Sequence, residues 1–137
     1  MSHSTVPIDD TSDWEALAYL VELPDFRDER GTLYPCEFPQ LPFVPSRSFH
    51  IAGVPAKTAR GGHSHNRQRQ LIFCVSGTLD IELRCRHLKT NLTLNNPKLG
   101  LLLEPGVWSS QIFESESTVA LVLASGPYDP TDYRFDY

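Results

Sequence analysis

Between Arg69 and Arg86 the chain spells out a β-hairpin, and that pattern narrows the possible folds more than any other. Leu79, Ile81, Leu83 and Cys85 alternate with Thr78, Asp80, Glu82 and Arg84. Successive side chains on a strand point to opposite faces, so such a run buries one face and wets the other. Gly77 separates it from Arg69–Ser76, a nearly continuous apolar run that fits a strand buried on both faces. Period-two runs recur along the rest of the chain. Trp14–Leu23, with Tyr19, Val21 and Leu23 alternating, reads as a strand ended by Pro24, and Asp28–Gly31 as a turn. Thr32–Phe38 reads as a short edge strand, because Pro35 removes a donor from the ladder. Pro39, Pro42 and Pro45 stiffen the loop that follows. Strands are then expected at 47–52, 58–65, 69–76, 78–86, around Leu92 and Leu94, and at 101–104, 108–113 and 118–125. No window carries a capped helical stripe, so the chain is expected to be all-β, a sandwich or barrel.

One strand carries chemistry. In Arg60-Gly61-Gly62-His63-Ser64-His65 the two histidines are two residues apart, so both imidazoles project from the same face, roughly 6.6 Å apart along the strand. Paired imidazoles bind a metal or act as acid and base. A bare His-x-His is more often a solvated surface feature than a site. Arg60, the two glycines and Gln70 turn the balance toward a site.

The chain of 137 residues suits one domain with one core, spanning residues 1–137 with 1–13 as a loose tail. Lys plus Arg is 12 and Asp plus Glu is 17, a net charge of −5 without a basic run, which argues against nucleic acid as the partner. Arg27, Arg30, Arg47, Arg60, Arg67 and Arg69 fall in one half, a distribution suited to a phosphorylated small molecule. No apolar stretch approaches eighteen residues, so no membrane span is expected. Met1–Asp13 lacks the basic-then-apolar order of a signal peptide. Cys36, Cys74 and Cys85 are odd in number and lack Cys-x-x-Cys spacing; Cys74 and Cys85 read as reduced core or strand residues, and a cytoplasmic enzyme is expected.

The spacing His63, His65, Gln70, Gly77 resembles the first motif of the cupin β-barrels, with Gln70 where a metal-ligand glutamate usually stands. The counterpart of the second motif, Gly100–Ser110, supplies Pro105, Gly106 and Trp108 but no histidine. Two of the usual four protein ligands are missing, so metal-free acid–base chemistry is the expectation. A metal-dependent small cupin ranks last among the alternatives.

Over Phe26–Tyr137 the chain further resembles the nucleotide-sugar 3,4-ketoisomerases of the cupin superfamily. The matching pieces are Asp28–Leu33, Arg60–His65 with Gln70, Cys74–Gly77, Asn96–Leu101, Pro105–Trp108, Leu121–Ser125, Tyr128-Asp129 and Asp132-Tyr133. The resemblance implies a small jelly-roll barrel, a homodimer that exchanges N-terminal strands, and no cofactor or metal. It implies that the carbonyl of a dTDP-4-keto-6-deoxyhexose moves from C4 to C3 through an enediolate, with His63 and His65 as base and acid. Arg30 and Arg60 are then expected to steady the diphosphate or the oxyanion, Gln70 to fix a histidine tautomer, and Trp108 to line the sugar pocket. Two departures from the family pattern stand out. Arg47-Ser48-Phe49-His50 replaces an Arg followed by a Tyr-Tyr pair, which makes His50 a candidate substitute for a tyrosine, and Ser109 follows Trp108 where His or Arg is common. Two other readings stay open: a 3,5-epimerase of the same substrate, and a non-catalytic cupin that binds a sugar nucleotide.

Overall fold

A computed structural model describes residues 4–38 and 40–137. Within them lie β1 (Ser4–Val6), β2 (Ala18–Glu22), β3 (Phe26–Asp28), β4 (Gly31–Leu33), β5 (Arg47–Ile51), β6 (Thr58–His65) and β7 (Gln70–Ser76). There follow β8 (Leu79–Cys85), β9 (Leu88–Leu94), β10 (Leu99–Leu103), β11 (Trp108–Phe113), β12 (Val119–Ala124), a single 3-10 turn (Pro130–Asp132) and β13 (Tyr133–Arg134). One sheet has the order β1-β2-β10-β7-β12-β5 and the other β13-β6-β11-β8-β9; β3 and β4 form a separate hairpin. Every pairing is antiparallel. The two sheets close on a shared lumen as a small jelly roll.

The hairpin pattern explains the layering. Along β8, Leu79, Ile81, Leu83 and Cys85 are buried and the residues between them are half-exposed. They meet Ile72, Cys74, Leu101, Leu103, Phe113, Ala120 and Val122 in the lumen. On β7 the alternate residues Leu71 and Phe73 face the other way and pack on Val21, Leu23, Leu102 and Leu123, with Leu41 and Phe43 of the proline-rich loop laid over them. Both faces of β7 are therefore covered, as its continuous apolar run requires. The fit is tight at Gly100: a Cβ there would lie 2.6 Å from the Phe73 ring. Each fully buried Leu or Phe stabilises this core by about 1.5–3 kcal/mol relative to exposure.

Two expectations change. The tail is not loose throughout, because Ser4–Val6 pairs with β2 in the register Ser4↔Glu22; residues 1–3 and Pro39 lie outside the described residues. The strand expected over Thr32–Phe38 stops at Leu33, two residues before Pro35. The C-terminal segment folds across its own barrel, and β13 extends the second sheet by pairing Tyr133 with His65.

Candidate active site

β6 is bulged where its chemistry begins. Gly61 and Gly62 have φ of 86° and 77°, a region L-residues avoid. The register with β11 shifts at the same place, between Ser109 and Ser110. A Cβ on Gly61 would sit 2.6 Å from Gln111 Oε1 and 3.1 Å from the Ser109 carbonyl. The two glycines thus let Gln111 lie against β6, its amide donating to Ser109 Oγ at 2.8 Å, and set His63 opposite Ser109.

Beyond the bulge the strand alternates as expected. His63 and His65 project into the lumen with ring centroids 5.1 Å apart, while Ser64 lines an outer groove. His63 is half-buried and His65 is 6% exposed. His63 opens on a cavity of about 310 Å³ whose walls include Phe49, Arg60, Gln70, Ile72, Ser109, Gln111, Val122 and Tyr133. Both rings and Gln70 also border a narrow recess with Gln68, Glu104 and Ser109, too small for more than a single water. A larger hollow of about 570 Å³ beneath the N-terminal segment shares no wall residue with the histidine cavity.

His65 Nδ1 stands 3.1 Å from Asp132 Oδ2, and Asp132 is fully buried. The same carboxylate accepts the backbone N–H of Arg67 at 2.7 Å and of Gln68 at 3.3 Å. An acceptor-only partner at Nδ1 puts the proton of a neutral imidazole on that nitrogen and leaves Nε2 as a lone pair. Nε2 is buried and has no hydrogen-bond partner among the described residues. Tyr133, the next residue, lies against both imidazoles, 4.7 Å from His63 and 4.6 Å from His65 by ring centroid.

Burial pushes both histidines below the ordinary imidazole range. For His63 the neighbouring His65 adds to the lowering, and a hydrogen bond to the Gly61 backbone opposes it. For His65, Asp132 opposes burial by hydrogen bond and by charge, while the Arg47 cation adds to it. Both shifts favour the neutral imidazole, the state a base needs.

The sequence-derived site residues divide. His63, His65, Gln70, Ser109 and Arg60 come together around the lumen, Arg60 as an exposed side chain in the cavity wall. The tautomer-fixing partner is Asp132 rather than Gln70. Trp108 does not line the cavity. It neighbours the inward-facing Ser109, so its own side chain faces outward, edge-to-face with Tyr137 at 4.8 Å between centroids and with Arg84 over it. His50 is exposed, pointing away from the face on which Phe49 meets the cavity. Arg30 sits on the β3–β4 hairpin, its side chain 84% exposed and paired with Asp28, and it reaches neither the cavity nor the recess. Asp132 and Tyr133 stand out in the sequence only as a matching piece of the family resemblance, with no role attached, and Gln111 does not stand out there. Among the described residues no three His, Cys, Asp or Glu side chains are placed to hold a metal ion.

A jelly roll with paired imidazoles in its lumen is a cupin-type barrel. The chain belongs to the family described as "FdtA: WxcM-like, C-terminal", whose model matches residues 17–137. It is 33% identical over 111 residues, 80% of each chain, to a TDP-4-oxo-6-deoxy-α-D-glucose-3,4-oxoisomerase of Aneurinibacillus thermoaerophilus. Its fold is similar to the sugar 3,4-ketoisomerase QdtA of Thermoanaerobacterium thermosaccharolyticum in complex with TDP, with 36% identity, a TM-score of 0.84 and 88% of each chain covered. A histidine-to-asparagine variant of that enzyme has been solved with TDP-4-keto-6-deoxyglucose. The WlaRB TDP-quinovose 3,4-ketoisomerase of Campylobacter jejuni is also similar, with 30% identity, a TM-score of 0.82, and coverage of 88% of this chain and 93% of that one.

Proposed function

We propose that this protein is a 3,4-ketoisomerase acting on a dTDP-linked 4-keto-6-deoxyhexose. The observation that carries the reading is the pair of imidazoles 5.1 Å apart at a cavity large enough for a hexose. A hydrogen α to a ketone is removed from C3, an enediolate forms, and C4 is reprotonated, so the carbonyl ends at C3. The step needs a base that is neutral at working pH, a returning acid and groups that stabilise the oxyanion. His63 faces the cavity and is assigned the proton transfer at the ring carbons. His65, held by Asp132, presents Nε2 beside it as the second acid–base group. Gln70 and Ser109 are assigned to contacts with the sugar, and Arg60 to the diphosphate. The apolar wall of Phe49, Ile72 and Val122 suits a sugar whose C6 is a methyl group.

The assembly is proposed to be a homodimer. Phe26, Leu33, Phe38 and Val44 are 48–64% exposed on one stretch of chain, apolar surface that a second copy of the chain would cover. The setting is proposed to be the cytoplasm; no helix among the described residues is long and apolar enough to cross a membrane. Incubation with dTDP-4-keto-6-deoxyglucose in deuterium oxide, followed by NMR, tests the reaction. A carbonyl at C3 with deuterium at C4 is expected. A carbonyl that stays at C4 while deuterium enters C3 and C5 marks an epimerase instead, and binding without exchange marks a non-catalytic protein.

A further inference from the structure

Moving a carbonyl between adjacent carbons also moves a proton between adjacent oxygens; His63, committed to the carbon atoms, does not supply that second transfer, and His65 is not among the residues that line the cavity. The cavity offers few groups that do. The amides of Gln70 and Gln111 have no acidic proton, the Arg60 guanidinium does not deprotonate in proteins, and Ser109 carries an aliphatic hydroxyl already engaged by Gln111. Phe49 borders the cavity with no hydroxyl at all. Tyr133 borders it with a phenol, far more acidic than an aliphatic hydroxyl.

Tyr133 is also placed with care. β13 pairs it with His65, its ring contacts both imidazoles, and Phe135 stacks on it at 6.3 Å with the planes 23° apart. The preceding turn is pinned by the Asp132 carboxylate on the N–H groups of Arg67 and Gln68 and by Asp129 capping the Thr131 N–H at 3.0 Å.

We propose that Tyr133 carries the proton between the two sugar oxygens; the inference rests on the ketoisomerase reading above. In the first half an imidazole takes the C3 hydrogen as a proton. The C–H electron pair becomes the C3=C4 bond, the carbonyl π pair moves onto the C4 oxygen, and that oxygen takes the phenolic proton. In the second half the phenolate takes the proton of the C3 hydroxyl, whose O–H pair forms the new carbonyl. The C3=C4 pair takes a proton at C4 from the imidazolium. Both side chains finish as they began.

Tyr133→Phe keeps every ring contact and removes only the oxygen; Tyr133→Leu removes the ring as well. The expected result for Tyr133→Phe is a kcat about 100-fold below wild type, with KM little changed, because the lost contact acts in the transition state, and with an unchanged melting temperature. Wild-type kcat in Tyr133→Phe, with a loss only in Tyr133→Leu, makes the ring a packing element and overturns the proposal. So does a kcat loss that accompanies a collapsed melting transition. Wild-type protein assayed alongside keeps the two readings apart: if it moves the carbonyl and Tyr133→Phe equals it, only the phenol role fails, whereas an inert wild type removes both.

Discussion

Replacing Asp132 should separate its structural work from its chemical work. The carboxylate is fully buried and receives three donors: the Arg67 and Gln68 backbone N–H groups and His65 Nδ1. Asp132→Ala leaves all three facing a void. A buried donor without an acceptor costs about 1–3 kcal/mol, so even the low end of the range puts the loss at about 3 kcal/mol. With an unfolding entropy of about 2.1 cal/mol/K per residue over 137 residues, that lowers Tm by about 10 °C. Asp132→Asn retains a carbonyl oxygen for one backbone N–H, so its Tm falls by less. Its amide, however, becomes a donor toward His65. The imidazole then accepts at Nδ1 and carries its proton on Nε2, the nitrogen that needs a free lone pair. A histidine trapped in the wrong tautomer costs about 10²–10⁴ in kcat. Nitrogen-15 NMR of the histidine rings, kcat and thermal melting measure the three effects independently. Asp132→Asn with wild-type kcat, or with the Nδ1–H tautomer intact, would falsify the assignment of Nε2 as the working nitrogen.

His63→Asn is expected to lose at least about 100-fold in activity while melting near wild type, since His63 is half-buried and faces the cavity; His65→Asn should match that loss and also melt lower, because it strips the buried carboxylate of a partner. The pH dependence follows from the depressed imidazoles. The unfolded chain takes up protons near the ordinary histidine value of about 6.5, and the folded chain resists them, so stability falls as pH drops below that value and the loss levels off under the folded-state pKa. The acid limb of kcat/KM should accordingly lie below pH 6.5, and a limb above it would contradict the burial argument. Gly61→Ala forces a Cβ onto a backbone with φ of 86° and against the Ser109 carbonyl. It should cost about 1–2 kcal/mol in a denaturant titration and reduce kcat by displacing Gln111.

The strands were legible because their signal is local. Alternation along Leu79–Cys85 depends only on the pleat, and the same rule places His63 and His65 on one face with Ser64 on the other. It even decides between neighbours: once Ser109 faces the lumen, Trp108 must face out. Which groups meet the histidines is a different kind of information. Asp132 lies 67 positions beyond His65, and nothing in Asp129–Tyr133 marks that carboxylate as buried or that phenol as wedged between two imidazoles. Only the pairing of β13 with β6 brings them there. Arg30 shows the same limit from the other side, since its charge suits a diphosphate but its hairpin carries it outside the cavity. Side-chain period is set by adjacent bonds, so sequence alone determined the barrel strands and the paired rings; partner choice is set by which strands close the sheet, and that only the tertiary structure decided.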